Sequence, residues 1–256
     1  MTRKLQPSVT LFAVGMIAFG LFGLVTGGFA AEWQPVIAWL PARTLLAYVS
    51  AGLMLGCGAG LLLERTASWS VRILFPVLVV WQLLKLPELV RHPGIEVSYE
   101  SFAEAAVPLA GSLVLLALLG GVLRNSRRGL RLACAWFGAW LIPVGLSHFF
   151  YSAVTFSLVP AWMPWRHIWG PVTGAGQIAC GLSVLFRVLP RAAAVCEAAM
   201  ISLFTVLIWL PAVARAPRVP DNWSELCVSV AFAAGAWVVA QGMGSAADGQ
   251  QAGAEA

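Results

Sequence analysis

The chain has 256 residues, of which 60% are hydrophobic and 11% are charged, and its formal net charge is +5. A soluble domain carries about 25% charged residues and could not bury this much apolar surface, so the composition excludes a soluble fold and predicts an integral membrane protein. The basic residues lie singly or in short clusters between apolar runs, which excludes a nucleic-acid-binding face. The five cysteines form no C-x-x-C pair and do not indicate a disulfide framework.

The predicted elements are eight transmembrane helices, each taken as an apolar run of roughly 20 residues. In chain order they are Val9–Phe29, Thr44–Leu63, Ala67–Leu86, Ala105–Leu123, Leu132–Ala153, Ile168–Phe186, Ala198–Ala214 and Leu226–Met243. The third contains Pro76 and has Arg72 and Lys85 near its ends, where we expect both side chains to snorkel to the membrane surface. No cleavable signal peptide is expected, because no small-residue cleavage site follows the first run. Residues 244–256 are expected to be disordered.

The basic residues also predict an orientation. With both termini on the cytoplasmic side, ten basic residues lie inside and six lie outside, and the cluster Arg124–Arg131 is the strongest anchor. The predicted outer side collects acidic residues and six tryptophans, which we expect to form an interfacial belt: Trp33, Trp39, Trp162, Trp165, Trp169 and Trp223.

An internal repeat divides the chain into two parts. A shift of 123 residues aligns Val36–Gly58 with Val159–Gly181, including a shared W-x-P-x-R that ends at Arg43 and Arg166. We therefore predict an all-α membrane protein with about eight transmembrane helices, arranged as two tandem four-helix bundles over residues 1–123 and 124–243. Four helices are an even number, so the two units are expected to point the same way, as a parallel repeat.

The second unit resembles a known family. Three stretches resemble the DoxX-like membrane proteins: Gly145-Leu146-Ser147-His148-Phe149-Phe150, then Leu158-Val159-Pro160-Ala161-Trp162-Met163-Pro164, and Thr173-Gly174 with Ile178-Ala179-Cys180-Gly181-Leu182. The resemblance implies four-helix units in a bacterial inner membrane and a link to quinone or thiol redox chemistry. The first unit is a diverged copy, with Val25 at the position of His148, so a role that needs this histidine would be single-copy.

His148 is the first candidate for a ligand or proton site. An ionisable residue at membrane depth is a functional-site hypothesis by default, and an imidazole there could bond a quinone carbonyl or relay a proton. Tyr151 lies three residues on and is expected on the same helical face. The alternative is that His148 bonds a neighbouring helix and fixes packing.

Two pairs of equivalent charged residues complete the candidate site. Glu104 and Glu225 fit capping boxes that begin at Ser101 and Asn222, which would give them a structural role at the start of a helix. The alternative is a functional role, in which each carboxylate carries a proton or pairs with an arginine. Arg43 and Arg166 could hold a lipid phosphate or an anionic substrate, or could be interfacial anchors.

The sequence is compatible with three classes of function. The first is an inner-membrane redox accessory subunit that binds a quinone or a lipid near His148 and works with a membrane or peripheral redox partner protein. The second is a non-catalytic scaffold or chaperone for a partner protein, and the third is a small-solute transporter. No complete catalytic motif, metal-ligand spacing or nucleic-acid-binding pattern is present, so whether the chain is an enzyme stays undecided. Cys57 and Cys180, at equivalent positions in apolar runs, are expected to pack inertly.

Overall fold

The computed structural model describes residues 6–30, 32–120 and 127–252, with side chains as far as Gly244. The described chain is α-helical, with no strand in these ranges. Its helices are α1 (Pro7–Thr26), α2 (Arg43–Leu61), α3 (Glu64–Arg91), α4 (Glu96–Leu119), α5 (Arg127–Phe150), α6 (Ser152–Leu158), α7 (Arg166–Leu185), α8 (Pro190–Phe204), α9 (Leu210–Arg215) and α10 (Pro220–Ala252). A π-helical segment, Thr205–Trp209, joins α8 to α9 without a break.

The eight predicted transmembrane helices are confirmed. Over the described residues, eight helical segments are long and apolar enough to cross a membrane, with α8, the π-helical segment and α9 counting as one. The third is longer than predicted, because α3 continues through Pro87 to Arg91. The fifth is displaced toward the N-terminus, because α5 begins at Arg127 and ends at Phe150, where the chain turns at Tyr151 into the short helix α6.

The spans pack as a closed ring of eight, which two of its own helices, α4 and α10, divide by contacting each other across the middle. Each helix packs against the next in the order α1, α2, α3, α4, α5, α7, α8, α10, and α10 closes the ring on α1. The first helix of each four-helix unit thus packs on the last helix of the other unit. Helices α4 and α10 also cross in the middle, and 67% and 72% of their spans are buried, against 28–44% for the other spans.

Glycines allow α4 and α10 to approach each other closely where they cross. A Cβ added to Gly111 of α4 would lie 2.8 Å from the Cα of Gly235 on α10, and one added to Gly235 would lie 2.8 Å from the carbonyl oxygen of Val107. Backbones can approach this closely only where side chains are absent, which is how helices gain packing contact inside a membrane. By contrast, a Cβ added to Gly52 or Gly56 of α2 would meet nothing within 4 Å.

Equivalent turns precede α2 and α7. Ala42 and Trp165, which align in the predicted repeat, have φ of 53° and 50° and lie directly before the two helices. This shared left-handed turn supports the predicted duplication, which stays a prediction. The boundary proposed between residues 123 and 124 lies outside the described residues. Part of the predicted disordered tail continues α10 as backbone helix to Ala252, consistent with its alanine and glutamine content.

Three tryptophans of the predicted aromatic belt are exposed. At the end where α1, α3 and α5 finish, here called the predicted outer end, Trp39, Trp162 and Trp165 are 78%, 68% and 71% exposed. The prediction is wrong for Trp33, which is 1% exposed because its indole stacks on the ring of Phe19 at 4.1 Å.

Candidate functional site

A buried lysine lies at the centre of the predicted outer end. Lys85 of α3 is only 3% exposed. Its Nζ donates to the backbone carbonyl of Glu32 and, at 2.7 Å each, to the carbonyl and hydroxyl oxygens of Ser101 on α4. The prediction that Lys85 snorkels is therefore wrong, because three oxygen acceptors from other parts of the chain hold the ammonium inside the bundle. Arg72, the other residue expected to snorkel, donates from Nε to the carbonyl of Gly120 at 2.5 Å.

Four glutamates surround this ammonium group and define what we call the Lys85 cluster. The electrostatic neighbours of Lys85 are Glu104, Glu32, Glu225 and Glu100. They come from α4, α10 and the loop after α1, so the cluster joins the two halves. Ser224 of α10 donates to the Glu32 carboxylate and ties that loop to the second half. The cluster places a formal excess of negative charge in the interior.

Glu104 and Glu225 therefore meet in one cluster, but not as helix caps. Helix α4 begins at Glu96 and α10 at Pro220, so Ser101 and Glu104 lie inside α4. The amide of Asn222 instead donates to the carbonyls of Ala212 and Ala216. The capping-box interpretation is wrong, because the helices start before the motif.

A cavity of about 720 Å³ opens beside the Lys85 cluster, between α2, α3 and the loop that precedes α2. Its walls are apolar over most of their area, and its polar groups are concentrated at the predicted outer end. Its lining includes Phe29, Val49, Trp81, Lys85, Glu88 and Arg91. A volume of several hundred cubic ångströms with apolar walls and a few polar groups is typical of small-molecule sites.

The two equivalent arginines differ in their hydrogen bonds. Arg166 donates from Nε and Nη2 to the carbonyl of Val159 at 3.1 and 2.7 Å, and from Nη2 to the carbonyl of Phe156 at 3.3 Å. Arg43 has no hydrogen bond or ion pair with any described residue, and its Nε is buried. Its guanidinium lies 5.5 Å from the ring centre of Phe29, a cavity-lining residue. The expected pairing of these arginines with Glu104 and Glu225 is absent from the described residues.

His148 bonds the neighbouring helix. It lies in the last turn of α5, and its Nδ1 is 3.0 Å from the hydroxyl oxygen of Thr173 and 3.2 Å from the carbonyl oxygen of Gly170, both on α7. A Cβ added to Gly174 would lie 2.7 Å from the Cβ of His148, so this glycine allows the approach. The ring also stacks on Phe204 at 6.2 Å. Nε2 has no partner among the described residues and is the atom left for a ligand.

Tyr151 does not share the helical face of His148. The residue lies at the break between α5 and α6, with φ of −113° and ψ of 43°. Its hydroxyl accepts from the backbone N–H of Val97 at 3.2 Å and so contacts the start of α4. His148 therefore contacts α7 and Tyr151 contacts α4, so the two side chains do not form the predicted common site.

One buried carboxyl group was missed by the sequence interpretation. Glu197 of α8 and Gln177 of α7 are both fully buried, and the Gln177 amide donates to Glu197 Oε1 at 3.3 Å. Glu197 Oε2 and the amide oxygen of Gln177 have no hydrogen-bond partner among the described residues. Glu197 was missed because the predicted seventh span begins at Ala198, whereas the helix begins at Pro190. The apolar residues that precede Glu197 could have revealed it.

The remaining candidate groups do not assemble a metal site. No group of three or more His, Cys, Asp or Glu side chains with metal-ligand geometry occurs in the described ranges. Cys57 is buried and Cys180 is half-buried, and both are free thiols, in agreement with a packing role.

Comparison with known proteins adds no relative. A scan against protein-family models, a search of curated proteins and a search of solved structures each found no match. The DoxX-like resemblance therefore stays a prediction that rests on the residues quoted for it.

Proposed function

We propose that this multi-pass membrane protein binds one amphipathic molecule, a lipid or a quinone, in the cavity between α2 and α3. The observation that carries the proposal is the cavity itself, whose apolar walls suit an isoprenoid or acyl chain and whose polar end suits a headgroup. The site lies in the first half of the chain and not beside His148. A quinone in this cavity would fit the redox accessory role implied by the family resemblance, and a lipid would fit a scaffold.

The proposed setting is the inner membrane of a bacterium, with both termini in the cytoplasm. The excess of basic residues in the predicted cytoplasmic segments supports this orientation. The cavity and the Lys85 cluster would then face the outer leaflet, where a lipid or quinone headgroup meets the membrane surface.

A matched pair of substitutions tests the proposal. Val49 lines the cavity, whereas Val172, its equivalent in the repeat, is 54% exposed on α7 and does not line it. Val49→Trp should fill part of the cavity, and Val172→Trp should leave it open. Both variants and the wild type would be purified in mild detergent, and retained small molecules would be measured by mass spectrometry.

The expected result is a lipid or quinone retained by the wild type and by Val172→Trp and lost from Val49→Trp. Equal retention by all three proteins would overturn the proposal. A partner protein captured without a small molecule would instead favour the scaffold function.

A further inference from the structure

We infer that the cavity ligand carries an anionic oxygen headgroup, which Arg43 and Arg91 bind. This inference rests on the proposed function and names the class of molecule: an acyl-chain amphiphile with a phosphate or carboxylate. The favoured ligand is thus an acidic phospholipid or a fatty acid rather than a neutral quinone.

Arg43 has a buried hydrogen-bond donor without a partner among the described residues. A guanidinium has five N–H donors, and buried donors are normally satisfied by protein or by a ligand. Arg166, in the equivalent position, donates from Nε and Nη2 to the carbonyls of Val159 and Phe156. Arg43 has a buried Nε and no hydrogen-bond partner among the described residues. The two equivalent turns therefore differ. Arg166 has hydrogen-bond partners in the second half, whereas Arg43 has none among the described residues in the first half.

Arg91 lines the cavity at the end of α3 and is exposed, with no hydrogen bond or ion pair to the described chain. Glu88, the acidic residue among those that line the cavity, contacts His92, with 3.6 Å between Oε1 and Nε2. Arg91 therefore presents to the cavity a guanidinium group that has no ion pair with this carboxylate, and Arg43 lies behind the cavity-lining ring of Phe29.

The start of α2 adds a third favourable element. Helix α2 begins at Arg43, and its N-cap residue, Ala42, supplies no side-chain hydrogen bond. The first N–H groups of a helix lack partners within it and carry partial positive charge, which favours an anion. Leu46, one turn into α2, lines the cavity, so this helix end borders the same space.

Lys85 is not part of the recognition. All three of its donors are already used, on Glu32 and Ser101, and its charge is opposed by the neighbouring glutamates. The selectivity for an anion therefore depends on Arg43 and Arg91.

The test is a titration of delipidated, purified protein followed by native mass spectrometry. The probes are dioleoylphosphatidylglycerol and oleate as anionic amphiphiles, dioleoylphosphatidylcholine as a zwitterionic control and a long-chain ubiquinone as a neutral one. The variants are Arg43→Gln and Arg91→Gln. The matched control is Arg65→Gln, an exposed arginine at the opposite end of α3.

We expect the wild type to prefer phosphatidylglycerol or oleate over phosphatidylcholine and quinone. Loss of a charge-assisted hydrogen bond should weaken anion binding about tenfold in Arg43→Gln and in Arg91→Gln, and Arg65→Gln should bind as the wild type does. Preference for phosphatidylglycerol over oleate would identify a phosphate headgroup, and the reverse a carboxylate. Because Arg91 is exposed, its variant remains informative if Arg43→Gln fails to fold.

Two results would overturn the inference. Equal affinity for anionic and neutral probes would do so, as would anion binding that neither arginine variant weakens. In both cases the proposed function stands if Val49→Trp still abolishes binding of whichever probe the wild type holds. If Val49→Trp has no effect on any probe, the proposed function fails as well.

Discussion

The predicted outer ends of the two halves carry equivalent positions that are used differently. In the second half, Arg166 bonds backbone carbonyls and His148 bonds Thr173, so both side chains have partners within the protein. In the first half, Arg43 and Arg91 have no described polar partner, and Arg91 lines a cavity. Because polar groups near a membrane core are expensive to leave unpaired, the half with unpaired donors is the half in which a ligand is expected.

The comparison extends to the buried lysine. Pro87 and Arg91 align with Pro211 and Arg215 at a shift of 124 residues, which places Trp209 at the position of Lys85. Trp209 ends the π-helical segment, whereas Lys85 lies in regular α-helix. A repeat that keeps the same helix order can thus hold a buried cation in one half and an aromatic residue in the other.

The largest expected effect comes from removing that cation. Lys85→Met should lower the free energy of unfolding by about 3–5 kcal/mol, because it leaves the carbonyl and hydroxyl oxygens of Ser101 and the surrounding glutamates without their ammonium partner. Unfolding in mixed micelles titrated with sodium dodecyl sulfate would measure it. Trp209→Met, at the equivalent position, is the control and should lower the free energy of unfolding clearly less. Equal losses would contradict the asymmetry between the halves.

A smaller effect is expected at the crossing that both halves share. Gly235→Ala should destabilise the protein by about 1–3 kcal/mol, because the new methyl group would lie 2.8 Å from the carbonyl oxygen of Val107. The same titration applies. Gly52→Ala is the matched control, since nothing lies within 4 Å of its added Cβ. If the two substitutions had the same effect, α4 and α10 would not cross as closely as described.

The smallest expected effect concerns the hydrogen bond between His148 and Thr173 in the second half. A double-mutant cycle with His148→Phe and Thr173→Val should give a coupling free energy of about 0.6 kcal/mol, the typical value for an interhelical hydrogen bond in a membrane. Ser50, equivalent to Thr173, accepts from Gln34 at 3.1 Å instead. Ser50→Ala should therefore be additive with His148→Phe. A coupling free energy of zero would mean that the hydrogen bond between His148 and Thr173 does not stabilise the second half.

The candidate site was predictable only in part. The sequence identified Glu104, Glu225, Arg43 and Arg166 as equivalent pairs, and the two glutamates do share one cluster. It did not distinguish Arg43 from Arg166, because the difference depends on which carbonyls the folded loop brings near each guanidinium. The capping boxes were misassigned because a local motif matches equally well inside a helix.

The amino-acid sequence by itself determined the eight spans, since a helix must satisfy its own backbone in lipid and needs a long apolar run to do so. It also determined the W-x-P-x-R turns and the polar residues available at the predicted outer end. Only the tertiary structure decided that Lys85 is buried, because Glu32 and Ser101, whose oxygens accept from its ammonium group, come from separate parts of the chain. The cavity between α2 and α3 was likewise decided by packing, since a void depends on which faces of two helices meet and not on the apolar composition that both spans share.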